Sequence, residues 1–266
     1  MLILAAAAMF LQPSPAMLRP LFEQELVRCR AEHGESDRRT AQAARDLALF
    51  LVRQGDTTDA PGALAEAIRL DEAALGPSHP LTLADVAELA AVSPPEQAER
   101  LWMRASRSSD ALVAARALAA LGQFRENTGD RAAARFYRDA LAKEEAASGR
   151  DSPRVAVRLN ALARVVQAEE AIALLQRALS INRSKLGPRH QETATVASNL
   201  ANLLLAAGKW EEAARLSASA LSVFEEVFGR ESPRVEVPAL ILTQALRANG
   251  KIGAANEVER RYLSGH

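Results

Sequence analysis

The stretch "ETATVASNLANLLLAAGKWEEAARLSASALSVFEEVFG", residues 192 to 229, decides how the rest of the chain is read. Val196, Leu200, Leu203 and Leu204 recur at helical spacing and form one apolar stripe; Ala213, Leu216, Ala220, Leu221 and Phe224 form a second. "AAGKW" interrupts the pattern at Gly208, so the segment is predicted to be helix, tight turn, helix. Just upstream stands "LGPRHQET" (186–193), and "LGPSHPLT" occupies 75–82. In that octapeptide glycine is expected to take the left-handed conformation that closes one helix. Proline prevents the helix from continuing, and Ser or Thr opens the next.

The punctuation recurs along the chain. Glycines that end a helical pattern fall at Gly34, Gly76, Gly149, Gly187 and Gly229, separated by 42, 73, 38 and 42 residues, so the period is near forty with one member hidden inside the 73. Six residues after them stand Thr40, Thr82, Val155, Thr193 and Val235, all β-branched. Alanine recurs at Ala60, Ala98, Ala133, Ala171, Ala213 and Ala255, followed seven residues later by Ala67, Ala105, Ala140, Ala178, Ala220 and finally Tyr262. Between each pair lie Leu64, Trp102, Tyr137, Leu175, Ser217 and Glu259. Positions i, i+4 and i+7 share one helix face, so most periods present small, large, small to a neighbour and allow two backbones to approach closely. Gly55, Gly129, Gly208 and Gly250 mark the turns inside the periods; the second period uses "SPPE" instead, and the fourth drops its glycine at "RVVQAEEA".

Composition agrees. The 266 residues are 48% hydrophobic and only 4% aromatic, which favours closely packed helices over a β-sandwich. Lys and Arg total 33, as do Asp and Glu, so no net field draws the chain to nucleic acid or anionic lipid. Cys29 is alone, which excludes an internal disulfide and a cysteine-based zinc site; it is expected to be a small buried hydrophobe. "LILAAAAMFL" (2–11) is too short to span a bilayer but suits the core of a signal peptide, with Ser14 and Ala16 before a mature start at Met17. No basic residue precedes it, a departure from the usual signal. On this reading the chain is exported to a periplasmic or extracellular setting; if residues 1–16 are an apolar lead-in, it is cytoplasmic. No integral span is expected in the mature chain.

"NLANLLLAAGKWEEAARLSASAL" and "DLALFLVRQGDTTDAPGALAEAI" resemble the tetratricopeptide repeat, with Leu and a small residue in the first helix and Ala, a large residue and Ala in the second. The "LGPxHP" loops are similar to the 42-residue form of kinesin light chains. The resemblance implies an all-α, right-handed superhelical solenoid of about six helix pairs: 37–80, 81–110, 111–153, 154–191, 192–233 and 234–266, preceded by a leading capping helix over 17–36. Glu259 and Tyr262 depart from the pattern where a terminal cap has no following neighbour.

It also implies a concave groove lined by first helices that holds a protein or peptide partner. Carried over by position, the candidates are Arg45, Asp46, Gln123, Asn160, Arg164, Asn199, Asn202 and Gln244. Asn199 and Asn202 lead, because an amide can both donate to and accept from a peptide backbone. Kinesin light chains carry "LNNLA"; here only "SNLA" and "LNALA" occur. The alternative is a structural array that self-associates through its terminal helices. Catalysis is not expected: His33, His79, His190 and His266 are dispersed, there is no phosphate loop, HExxH or GxSxG, and Glu211 and Glu212 suit a first helical turn. Trp102 is expected in the core and Trp210 against the turn. No cofactor, metal or nucleic acid is expected.

Overall fold

The computed structural model describes residues 15–263, and every regular element in that span is helical. The proposed leader, residues 1–16, lies almost entirely outside the described residues. Thirteen α-helices follow one another: α1 (Pro15–His33), α2 (Arg38–Gln54), α3 (Ala60–Leu75), α4 (Pro80–Ala91), α5 (Pro95–Ala105), α6 (Ala111–Asn127), α7 (Ala133–Ser148), α8 (Pro153–Ala163), α9 (Ala168–Lys185), α10 (Gln191–Ala206), α11 (Trp210–Phe228), α12 (Glu236–Ala248) and α13 (Ile252–Tyr262). A 3-10 turn, Pro233–Val235, leads into α12. The chain forms two compact units, residues 1–124 and 125–266. Each is a stack of helix hairpins in which an element packs on its neighbours in sequence, the construction of an all-α solenoid.

The alanine pairs close these stacks. Ala60, Ala67, Ala105, Ala140, Ala178, Ala213, Ala220 and Ala255 have no exposed surface, and the large residues between them, Leu64, Tyr137 and Leu175, are buried with them. A methyl group at each crossing brings the partner helix close enough for the bulky side chain to fill the remaining space. Cys29 is buried in the first unit.

The octapeptide proves stricter than its sequence suggests. Gly76, Gly149 and Gly229 have φ of 97, 79 and 82° with ψ of 158, 154 and 158°, so they are not in the left-handed helical well. They occupy an extended positive-φ region open essentially to glycine alone. The turns inside the hairpins are the left-handed ones: Gly55 has φ 71° and ψ 24°. The threonine does not open the next helix either. The N-caps are Asp37, His79, Ser152, His190 and Ser232, each accepting the backbone N–H two residues on. In the two histidines the acceptor is Nδ1, at 3.2 Å from Leu81 N and 3.2 Å from Glu192 N. The threonines lie inside the first turn and donate back across the loop. Thr40 Oγ1 reaches Gly34 O at 2.7 Å, Thr82 Oγ1 reaches Gly76 O at 3.0 Å and Thr193 Oγ1 reaches Gly187 O at 2.8 Å. The six-residue interval is thus closed by a side-chain hydrogen bond wherever it ends in threonine. Val155 and Val235 keep the shape without the hydroxyl and are buried.

Two aromatic expectations change. Trp102 is only partly buried, and Trp210, at the first position of α11, is exposed beside an open pocket of about 720 Å³ shared with Lys209, Asn249 and Lys251.

Candidate functional site

The sequence candidates divide between the units. Arg45, Asp46 and Gln123 belong to residues 1–124; Asn160, Arg164, Asn199, Asn202 and Gln244 belong to residues 125–266.

Arg45 is not a groove residue. It is buried and joins three helices: Nε donates to Asp85 Oδ1 at 3.1 Å and Oδ2 at 2.9 Å on α4, and Nη2 donates to Asp71 on α3. The polar head that suggested a solvated position is consumed by two buried carboxylates, because a buried guanidinium requires such partners. Two carboxylates around one cation leave an excess negative charge. Burial, together with the neighbouring Asp71 side chain, pushes the Asp85 carboxyl up to about 7 against the opposing charge of Arg45. Asp46, next in sequence, is exposed, and its Oδ1 accepts from Gln42 Nε2 at 2.8 Å. Gln123 is exposed.

Arg164 is also committed within the protein. Its Nε donates to Glu126 Oε1 at 2.8 Å and its Nη2 to Glu126 Oε2 at 2.9 Å, while Nη2 also reaches the Tyr137 hydroxyl at 3.1 Å. The Tyr137 hydroxyl donates to Glu126 Oε2 at 2.7 Å. The arginine lowers the Glu126 carboxyl below its ordinary range, and burial raises the Tyr137 phenol. This fork ties the end of α8 to α6 and α7 and holds the Arg164 guanidinium in place, with 40% of its side chain still exposed.

The remaining amides stay at the surface. Asn199 Nδ2 on α10 donates to Asn160 Oδ1 on α8 at 2.8 Å, across an interval of 39 residues. That bond leaves the carbonyl of Asn199 unspent, and Asn202 and Gln244 are exposed on α10 and α12. Counted from the β-branched residue six past each loop glycine, Arg164, Asn202 and Gln244 occupy the same position of successive hairpins, so they form one polar row. Sequence reasoning missed exposed aliphatic side chains on two of these first helices, α8 and α12, separated by Thr195 and Ser198 of α10. Val157, Val237 and Leu240 project from α8 and α12 with 49, 60 and 48% of their surface exposed. Hydrophobic side chains in helices are read as core by default, and only their offset from the buried stripe distinguishes them.

Among the described residues no group of three or more His, Cys, Asp or Glu side chains is arranged to hold a metal ion, and no helix is long and apolar enough to cross a membrane.

The helix pairs and their close alanine contacts define a helical-repeat protein, a fold typical of protein-interaction scaffolds. Tetratricopeptide repeat models match residues 167–226 and 192–265, and a second such model matches 40–81, together more than half of the chain. The chain belongs to the tetratricopeptide repeat family. Protein KINESIN LIGHT CHAIN-RELATED 3 of Arabidopsis thaliana is 30% identical over 120 residues, which are 44% of this chain and 18% of that protein. The chain therefore spans under a fifth of that relative. The solved structure of BtubC (BKLC) from P. vanneervenii is 17% identical, with a TM-score of 0.51 over 94% of this chain and 90% of that one. Pseudomonas aeruginosa pilF is 19% identical, with a TM-score of 0.55 over 85% and 93%. These two share the fold.

Proposed function

We propose that the protein is a non-catalytic scaffold that holds a protein or peptide partner on the first-helix face of residues 125–266. The observation that carries this reading is the exposure of amides at Asn199, Asn202 and Gln244 on first helices that also expose aliphatic side chains at Val157, Val237 and Leu240. Amides satisfy the N–H and C=O groups of an extended chain whatever its sequence, and the exposed aliphatic side chains give its own side chains apolar surface to cover. Arg45 and Arg164 contribute by fixing the helices. The self-associating array has less support, because the terminal helix α13 buries only Ala255 fully and carries charged Glu257, Arg260 and Arg261 at its surface.

The test is affinity capture with the purified chain and with a variant carrying Asn199→Ala, Asn202→Ala and Leu240→Ser. The variant is expected to keep its helical circular dichroism and lose the captured partner. Capture that is unchanged in a folded variant would refute this assignment of the surface.

A further inference from the structure

The second helices of neighbouring hairpins are laced together at one fixed register. The residue four positions before a loop glycine, at the end of one second helix, meets the residue six positions past the first alanine of the next. In the first unit this gives ion pairs between Arg30 and Glu66 and between Glu72 and Arg104. In the second it gives Glu145 with Arg177 at 2.6 Å and Glu225 with Arg261 at 2.7 Å. Every one of these pairs matches an arginine with a glutamate.

The seam between α9 and α11 breaks the rule. Its residues at the two positions are Arg183 and Ser219, so the arginine is present and its glutamate is missing. Among the described residues Arg183 has no hydrogen-bond or ion-pair partner, and it lies on an open groove of about 500 Å³. Arg215 lines the opposite wall, and its only charged neighbour in the groove is Glu212, at a loose 4.0 Å. Two arginines against one glutamate leave one positive charge uncompensated. Ser180 and Ser184 add hydroxyl donors beside Arg183, and Leu200 forms part of the floor. A floor of buried leucine lowers the local dielectric, which strengthens a charge-assisted hydrogen bond made there.

We propose that the α9–α11 groove binds a glutamate side chain of a partner protein, which supplies to Arg183 the carboxylate that the chain itself supplies at the four paired seams. Glutamate is the acid expected because it is the partner of the arginine at all four paired seams: Glu66 from the position that Ser219 occupies here, and Glu72, Glu145 and Glu225 from the opposite one. The surface lies on second helices, and so is separate from the first-helix face assigned above; either reading stands if the other fails.

The full chain would be titrated with the peptide Ac-Leu-Glu-Leu-NH2 while the side-chain Nε–Hε resonance of Arg183 is followed by NMR. A saturable shift is expected, at least tenfold weaker with Ac-Leu-Gln-Leu-NH2. Ser219→Glu is expected to restore the internal pair, abolish the peptide response and raise the thermal midpoint slightly. Arg183→Gln is expected to abolish peptide binding, read from the neighbouring Ser184 amide, without lowering the thermal midpoint. No response of Arg183 to the glutamate peptide, an equal response to both peptides, or a Ser219→Glu chain that still responds like the native one would each overturn the proposal.

Discussion

The buried Arg45–Asp71–Asp85 cluster makes the stability of the first unit depend on pH in a direction opposite to that of an ordinary paired carboxylate. Asp85 holds its proton in the folded protein up to about pH 7, mainly because it is buried. An unfolded chain releases that proton near pH 4. The folded state therefore binds more protons between those values, and stability falls as pH rises from about 4 to about 7, then levels off. Each pH unit is worth about 1.4 kcal/mol until the folded group itself titrates, so between pH 5 and pH 7 the group withdraws ~2 kcal/mol. Asp85→Asn keeps an acceptor for Arg45 and a donor toward Asp71 but carries no charge at any pH. The variant is expected to gain ~3 kcal/mol on the native chain between pH 5 and pH 8. Urea unfolding measures this directly if Trp210→Phe is the common background, because the remaining Trp102 lies in residues 1–124 and reports that unit alone. The carboxyls of Asp37, Glu25, Glu126 and Glu225 are all held below their ordinary range, so they do not titrate in this window. A native-minus-variant difference that stays constant from pH 5 to pH 8 would refute the cluster as the source.

Two further predictions address the packing and the loops. Ala220→Leu is expected to cost about 1–3 kcal/mol in thermal unfolding through overpacking of a fully buried crossing, whereas Glu212→Leu at the half-exposed start of the same helix should stay within about 0.5 kcal/mol; similar costs at both sites would contradict the register. Gly229→Ala is expected to destabilise by about 1–3 kcal/mol because of its φ of 82° with ψ of 158°, although nothing lies within 4 Å of the added methyl group. Gly62→Ala, on the helical backbone of α3 with equal space, should stabilise by up to about 1 kcal/mol, and a loss there matching that at Gly229 would show that space and not backbone conformation governs both.

The sequence by itself determined the class of fold. Alanines seven apart, glycines at a period near forty and β-branched residues six beyond them are local constraints, repeated until only paired helices could satisfy them. Ala60, Ala133, Ala171 and Ala213 are accordingly buried where their spacing placed them. Tertiary structure alone decided which polar side chains are free. Arg45 and Asn202 look alike in a helical pattern, yet Arg45 is closed in by Asp71, 26 residues on, and Asp85, 40 residues on, while Asn202 stays exposed. Arg164 is spent on Glu126, 38 residues earlier, and Arg183 is left unpaired by a serine 36 residues later. Helical periodicity fixes the face on which a residue lies. Whether that residue is available to a partner depends on what the neighbouring hairpin places opposite it, and that is a property of the stack.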